Sequence, residues 1–453
     1  MKKFLDSARI IPLSFLAAIL VGTAILMLPI STADGNGAGI ITALFTSTTS
    51  ICVTGLVVVD TYAYWSLFGK IVILILIQLG GLGIITVTSV IMLILKRKFS
   101  LSQTVLIHDA FNLDSTKGLT KFLLGVLKGT LLVEMLGALV YMIDFIPKYG
   151  VLRGIWYSVF TAISAFCNAG IDILGPDSLV GFQKNPLVLI NTITLIVLGG
   201  LGYVVWFDVL NGMKNGIKKR YNIFTIYERL SEHSKLVIAF TLFLILSGAV
   251  AVFISEFANS QTIGDMSIHY KVLNSIFQSV TFRTAGFATV PQQYLTDTTC
   301  WFGSMLMFIG GSPVGTAGGV KTVTVFLVLA NVDSFIKSRN KTVVFNRELT
   351  EDMIRKATAI ITVSFLVTFV MMQFLMILEN VSLVDAMYET FSATATVGLS
   401  RALTPTLGRA GRLIIILCMY LGRIGPISMA LFFGFKGQEK NKIRHAKGNF
   451  FVG

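Results

Sequence analysis

Four glycines, Gly55, Gly170, Gly286 and Gly398, stand 115, 116 and 112 residues apart, and each is followed by a bulky apolar residue. The stretches that lead into them share a plan. The first reads Phe45-Thr46-Ser47-Thr48-Thr49-Ser50-Ile51-Cys52-Val53-Thr54-Gly55-Leu56, and the second reads Phe160-Thr161-Ala162-Ile163-Ser164-Ala165-Phe166-Cys167-Asn168-Ala169-Gly170-Ile171. The third is Phe277-Gln278-Ser279-Val280-Thr281-Phe282-Arg283-Thr284-Ala285-Gly286-Phe287, and the fourth is Phe391-Ser392-Ala393-Thr394-Ala395-Thr396-Val397-Gly398-Leu399. Such regular recurrence identifies an internal repeat. The chemistry on offer is that of the backbone: carbonyl oxygens from four loops around one axis replace the hydration shell of a cation such as potassium. Glycine adopts backbone angles closed to other residues and leaves the path free of side chains.

Each stretch is too short to cross a bilayer and lies between two long apolar runs. In order these are Pro12–Ile30, Lys70–Leu95, Lys121–Ile146, Pro186–Leu210, Lys235–Phe257, Trp301–Ile336, Ile354–Leu378 and Leu413–Phe435. The expected fold is therefore an all-α integral membrane protein, with eight transmembrane helices in four helix–re-entrant pore loop–helix repeats around a pseudo-fourfold, potassium-channel-like pore. The divisions are 1–100 with pore loop 40–56, 101–220 with pore loop 155–171, 221–340 with pore loop 272–287, and 341–435 with pore loop 384–399; a basic tail spans 436–453. Two crossings per unit return the chain to its starting side, so successive repeats share one orientation, unlike the inverted repeats of alternating-access transporters. Non-helical backbone at membrane depth must line water or be buried in protein. Each short helix presents the negative end of its dipole to the centre, where it favours a cation.

Composition supports this reading. Of 453 residues, 54% are hydrophobic and 13% charged, more apolar surface than a soluble core of this length needs. The net charge of +14 comes from short Lys/Arg clusters without aromatic interleaving, which argues against nucleic acid. Twenty-five of the 37 Lys and Arg fall in the tails and inter-repeat loops, nine fall on the other side, and Lys128, Lys321 and Arg423 lie inside apolar runs. The positive-inside rule puts both termini in the cytoplasm and makes the pore loops descend from outside. With eleven acidic residues on each side, the outer face is net −2, a weak attraction for cations. Leu28-Pro29-Ile30-Ser31 is a poor signal-peptide cleavage site, so the first run is kept as a span. Cys52, Cys167, Cys300 and Cys418 lie in or beside apolar segments without Cys-x-x-Cys, and the four histidines are scattered, which excludes a zinc site of standard spacing. The absence of His-Glu-x-x-His and of paired intramembrane aspartates argues against an enzyme.

A second glycine marker follows each loop: Gly80-Gly81-Leu82-Gly83, Gly199-Gly200-Leu201-Gly202, Gly310-Gly311 and Gly422-Arg423-Ile424-Gly425. Close helix packing accounts for glycines of this kind in membranes. The third marker opens a longer break, Gly310-Gly311-Ser312-Pro313-Val314-Gly315-Thr316-Ala317-Gly318-Gly319, which cannot persist as helix and reads as a segment of low ordering energy. Gly315 to Thr322 nearly matches a phosphate-binding loop, but Val320 takes the place of a glycine and no strand precedes it, so any nucleotide must act through another chain. Arg423, at mid-helix, is a functional candidate because its insertion is costly. Glu134 and Lys128 fall on different helix faces and receive no role, and no acidic residue stands within the filter motifs.

The chain resembles the superfamily of Trk, Ktr and plant HKT potassium transporters through Val53-Thr54-Gly55-Leu56, Arg283-Thr284-Ala285-Gly286-Phe287 and Gly422-Arg423-Ile424-Gly425-Pro426. With no additional helices before the first repeat, it is most similar to the bacterial Ktr membrane subunit. The resemblance implies potassium uptake across the plasma membrane, with the ion at the carbonyls of a filter formed by Cys52, Val53, Thr54 and Gly55; Cys167, Asn168, Ala169 and Gly170; Arg283, Thr284, Ala285 and Gly286; and Thr396, Val397 and Gly398. It also implies an intramembrane gating loop at 310–320 with Arg423 as barrier and latch beneath the filter, a homodimer with one pore per subunit, and a cytosolic nucleotide-binding ring of the RCK type that drives the gate. Membrane lipids are expected around the basic inner loops, sodium is a candidate activator, and no covalently bound cofactor is implied. A coupled potassium–sodium or potassium–proton symporter is the alternative. One glycine per loop, without a Thr-Val-Gly-Tyr-Gly run, suggests fewer ordered carbonyl rings and weaker exclusion of sodium.

Overall fold

The computed structural model describes residues 2–83, 86, 89 and 119–425, and within them the chain is an all-helical membrane protein. The basic tail 436–453 and the expected division at 100/101 lie outside the described residues.

Four short helices reach the centre: α2 (Ile40–Ile51), α5 (Val151–Cys167), α9 (Ile268–Phe282) and α13 (Leu383–Thr394). Each is flanked by two further helices: α1 (Lys2–Leu26) and α3 (Leu67–Leu82), α4 (Leu119–Tyr149) and α6 (Pro186–Leu201), α8 (Glu232–Glu256) and α10 (Asp297–Phe308), and α12 (Glu351–Glu379) and α14 (Arg409–Ile424). The second and third pore helices begin four residues before the positions 155 and 272 expected from sequence.

The pore helices are the hydrophilic core of an apolar molecule. Thr46, Ser47, Thr48, Thr49 and Ser50 are all buried. Their hydroxyls are satisfied locally, as when Thr48 Oγ1 donates to the Leu44 carbonyl (2.7 Å) and Ser50 Oγ to the Thr46 carbonyl (2.6 Å). Ser47 Oγ instead ties α2 to α1 through the Ile19 carbonyl (2.7 Å). The large apolar side chains face the other way: Leu131, Leu132, Met135, Leu136 and Leu139 on α4, and Phe365, Leu366, Phe369 and Phe374 on α12, are exposed on the protein surface, where lipid is their solvent.

Every pore helix packs on both flanking helices of its own repeat and on the second limb of the repeat before it: α5 on α3, α9 on α6, α13 on α10, and α2 on α14. The last contact joins the chain's end to its beginning, and the four units close into a ring.

The two limbs of a repeat differ. Thr120–Tyr149, Glu232–Glu256 and Glu351–Glu379 are long and apolar enough to cross a membrane unbroken. The second limbs are broken, that of repeat three as expected and those of the other repeats where a continuous apolar run was expected. α3, α6 and α14 each have 16 residues, about 24 Å of helix against a hydrocarbon core of about 30 Å. Each stops at a glycine of positive φ: Gly83 (82°), Gly202 (88°) and Gly425 (82°). At Gly202 the chain turns by 102° into α7 (Tyr203–Lys219). In the third repeat α10 ends at Phe308 and α11 (Thr322–Ile336) resumes only after a thirteen-residue excursion. The earlier marker glycines explain why the break falls where it does. A Cβ on Gly80, Gly199 or Gly422 would run into the carbonyl oxygen of Ile51, Phe166 or Thr394, the C-terminal end of the adjacent pore helix. These three are packing glycines, whereas Gly310 meets the Gly318 carbonyl within its own loop. Between the third and fourth repeats, β1 (Val343–Val344) and β2 (Arg347–Glu348) form a two-stranded hairpin.

Candidate functional site: a ring of four loops, a strap below and a vestibule above

The residues after the pore helices converge. A Cβ on Gly55, Gly170 and Gly286 would lie 2.5, 2.6 and 2.7 Å from the carbonyl oxygens of Ala169, Ala285 and Val397, and one on Gly398 would collide with the Thr54 carbonyl. Each glycine therefore abuts the residue before the next repeat's glycine, and the pattern runs once around the ring. No residue with a side chain fits without pushing a neighbouring loop aside. The φ angles agree: 104°, 63°, 82° and 97° at the glycines, and 56°, 60°, 70° and 53° at Val53, Asn168, Thr284 and Thr396, two residues earlier in each loop. Left-handed residues alternating with ordinary ones turn successive carbonyls to one side and amides to the other.

The amides point back to the pore helices. Thr54 N donates to the Thr49 carbonyl (2.8 Å), Ala169 N to Ser164 (2.8 Å), Val397 N to Ser392 (2.7 Å) and Ala285 N to Thr281 (3.1 Å). Gly55 N and Gly398 N donate to the hydroxyls of Thr49 (2.9 Å) and Ser392 (3.0 Å). With these donors turned to the pore helices, the carbonyls are left for the axis. The hydroxyls of Thr54, Thr284 and Thr396 and the amide of Asn168 are buried without a protein partner among the described residues, as expected of groups that face a hydrated ion path.

These bonds also correct the alignment read from sequence. The amide reaches back five residues in repeats one, two and four but four in repeat three, which is one residue shorter. Counting back from Gly398, the aromatic equivalent to Phe45, Phe160 and Phe277 is Tyr388, fully buried like them, and not Phe391.

Below the ring lies the excursion between α10 and α11. Its glycines do not leave it loose. Ser312 N and Thr316 N donate to the carbonyls of Gly200 (2.9 Å) and Gly199 (3.0 Å), and Tyr203 N donates to the Val314 carbonyl (3.1 Å). The strap is thus bound to the broken second limb of repeat two. It is closed on itself by Gly310 N to the Val320 carbonyl (3.0 Å) and Thr322 N to the Gly311 carbonyl (3.0 Å). The expectation of low ordering energy holds for the glycine composition and not for this conformation. Two arginines complete the attachment: Arg283 Nη2 donates to the Gly310 carbonyl (3.1 Å), and Arg423 donates through Nη1 to the Thr316 carbonyl (2.7 Å) and through Nη2 to the Gly80 carbonyl. Arg283, counted by sequence with the outer charges, points to the inner side of the ring. A Cβ on Gly318 would strike Thr396 Oγ1, which places the strap directly against the fourth loop. A cavity of ≈ 380 Å³ adjoins it, lined by Gly318, Lys321, Ser364, Thr368 and Arg423 among others.

On the opposite side a vestibule of ≈ 540 Å³ is lined by all four glycines together with Asp60, Asp172, Asp177, Ser400 and Thr404. Two buried acids stand behind the loops, and neither was assigned from sequence. Glu134 on α4 accepts from Gln78 Nε2 on α3 (3.1 and 3.2 Å) and from Cys167 Sγ at the end of α5 (3.9 Å). It therefore meets the filter's flank and not lipid, the reverse of its expected irrelevance. Glu389 on α13 accepts from Ser400 Oγ (2.7 Å) and from Thr404 Oγ1. It lies just before the stretch that the sequence alignment began at Phe391. The available signal was a carboxylate in the interior of a pore helix, beyond the acid Asp385 in its first turn.

The whole chain has relatives. It matches the TrkH family, described as cation transport protein, over residues 8–443. It is similar to Ktr system potassium uptake protein B of Bacillus subtilis, with 37% identity covering 98% of this chain and 96% of that protein. The potassium/sodium uptake protein NtpJ of Enterococcus hirae is 33% identical over 94% of this chain and 93% of its own length. Among solved structures, the potassium transporter TrkH from Vibrio parahaemolyticus superposes with a TM-score of 0.76 over 95% of this chain and 85% of that one, at 15% identity, a likeness of fold. The ring of four loops thus sits in a chain that belongs to the TrkH family of cation transport proteins.

Proposed function

We propose that the protein takes up potassium through the axis of the four-loop ring, which acts as a carbonyl selectivity filter. The observation that carries this reading is the cyclic fit of the four glycines, each abutting the next loop's carbonyl, with the amide before each glycine turned back to its pore helix. The relatives named for potassium uptake support the choice of ion. The Enterococcus relative is named for potassium and sodium, and a filter with one glycine per loop fits a softer exclusion of sodium. The units 1–100, 101–220, 221–340 and 341–435 each contribute one quarter of the pore, and both termini are cytoplasmic.

The strap 310–320 is the gate. It lies against the inner side of the four loops, and opening would release the Arg423 and Arg283 contacts and the bonds to Gly199 and Gly200. Its attachment to the bend at Gly202 provides a lever, since movement of α7 pulls directly on Val314 through Tyr203. The relatives are named as parts of a Ktr system, which fits a further component; a cytosolic nucleotide-binding ring would act on that inner face, with the membrane subunit as a homodimer. A second reading, proton-coupled uptake, is favoured by Glu134, a buried carboxylate beside the filter.

The test is potassium and rubidium uptake in a bacterium lacking its own uptake systems. Wild type should restore growth at low potassium, Gly286→Ser should lose potassium preference, and deletion of the strap should leave flux ungated. Wild-type selectivity in Gly286→Ser would remove the filter from this position. Uptake driven by an imposed proton gradient alone would favour the coupled reading.

A further inference from the structure

Glu389 is fully buried on α13, nine residues before Gly398. The same distance before Gly55 and Gly170 are Thr46 and Thr161, and in the third repeat, shorter by one, the counterpart is Gln278. Repeats three and four use this position alike. Gln278 Nε2 donates to Gln292 Oε1 (2.8 Å), which lies six residues beyond Gly286, and Glu389 accepts from Ser400 and Thr404, two and six residues beyond Gly398. Each holds the outward continuation of its own filter loop. Only repeat four does so with a carboxylate.

Hydroxyl groups engage both oxygens of that carboxylate. Ser400 Oγ accepts from the backbone amides of Leu403 (3.1 Å) and Thr404 (3.2 Å), which commits its single hydrogen to Glu389 Oε2. Thr404 Oγ1 donates to Oε1 and has no other acceptor among the described residues. With both oxygens as acceptors the pocket suits the ionised form. A buried anion needs a counter-charge. Arg401 is engaged by Asp385 (2.9 Å) and Asp297 (3.7 Å), and no described residue forms an ion pair with Glu389. What faces Glu389 through one layer of hydroxyls is the vestibule, because Ser400 and Thr404 are part of its wall along with Asp60, Asp172 and Asp177.

We propose that Glu389 sets the cation affinity of the filter: it is a positioning residue that holds the outer rim of the fourth loop through Ser400 and Thr404, and its counter-charge is the permeating cation. The inference rests on the reading of the four loops as a filter. It makes the pore asymmetric, with the fourth quarter supplying the fixed charge.

The experiment measures rubidium flux into liposomes containing the purified full-length protein, at constant ionic strength, with potassium and sodium as competitors, for wild type, Glu389→Gln, Glu389→Asp and Gly398→Ser. Loss of one unit charge about 10 Å from the ion, at the effective dielectric of protein, predicts a roughly tenfold rise in the KM for potassium in Glu389→Gln, with a fall in potassium preference over sodium and a smaller change in maximal flux. Glu389→Asp keeps the charge and should stay within about threefold of wild type. A wild-type KM and preference in Glu389→Gln overturns the proposal and leaves a structural pin. If Glu389→Gln is not recovered as monodisperse protein, the aspartate decides, and a KM shift of tenfold or more there overturns the proposal. Gly398→Ser separates the two claims: unchanged preference in that variant overturns the filter reading itself, whereas lost preference beside an unaffected Glu389→Gln overturns only the role of the charge.

Discussion

Replacement of Arg423 by alanine tests the gate most sharply, because one of its two guanidinium bonds holds the strap and the other fixes the guanidinium itself. One reaches the Thr316 carbonyl at 2.7 Å and the other the Gly80 carbonyl at the end of α3. A hydrogen bond from a charged donor contributes roughly 1.5–3 kcal/mol net, so the bond to Thr316 favours the closed strap by about that amount. A shift of that size changes the ratio of closed to open by roughly ten- to a hundredfold. The strap would not unfold, since Thr316 keeps its amide bond to Gly199 (3.0 Å) and its hydroxyl bond to the Phe166 carbonyl (3.1 Å). Arg423→Ala should therefore raise basal potassium flux in liposomes, without any cytosolic partner, by a factor between about ten and a hundred. Arg423→Lys separates two contributions, because lysine preserves the charge and loses the two-pronged geometry. A latch predicts raised flux in both variants, and a purely electrostatic barrier predicts it only in alanine. Wild-type basal flux in an Arg423→Ala protein of normal thermal stability would refute the argument.

Three further outcomes follow from the same contacts. Gly318→Ala puts a methyl group against Thr396 Oγ1 and cannot occupy the closed position, so it should behave as an open-gate variant with raised basal flux in the liposome assay. Gly422→Ala drives a methyl into the Thr394 carbonyl at the end of α13, and overpacking of this kind costs about 1–3 kcal/mol; a lowered melting temperature of the extracted protein should report it. Gln78→Leu removes both amide hydrogen bonds to buried Glu134 and leaves that carboxylate with only the Cys167 thiol, so the same melting measurement should fall by an amount equivalent to about 1–3 kcal/mol, and Gln78→Leu combined with Glu134→Leu should recover much of the loss.

The ring was readable from sequence because a glycine that must abut a carbonyl in the next repeat leaves a recurring mark at one spacing. The class of fold followed from the same recurrence and from apolar runs with no other sink. The breaks in the second limbs were not readable from hydropathy: Gly83, Gly202 and Gly425 stop their helices by a positive φ within stretches that remain apolar on both sides. The missing residue in the third loop was hidden for another reason. One deletion between Phe277 and Gly286 leaves the aromatic start and the glycine end both recognisable, and only the amide that reaches back four residues instead of five reveals it. Glu134, Gln78 and Cys167 come from three different helices, and no local pattern announces a contact across 56 or 89 residues of chain. The strap's glycines signalled a break in helix and could not signal that the broken limb of repeat two supplies its hydrogen-bond partners.

The central claim, that a cation is coordinated on the axis of Gly55, Gly170, Gly286 and Gly398, is tested most directly by a crystal structure of the protein in rubidium with data collected at the rubidium absorption edge. The account predicts an anomalous peak on that axis, within coordination distance of the carbonyls of Thr54, Ala169, Ala285 and Val397 or of the glycines that follow them. An anomalous peak elsewhere in the membrane, with none on the axis of a protein that still transports rubidium, would contradict it.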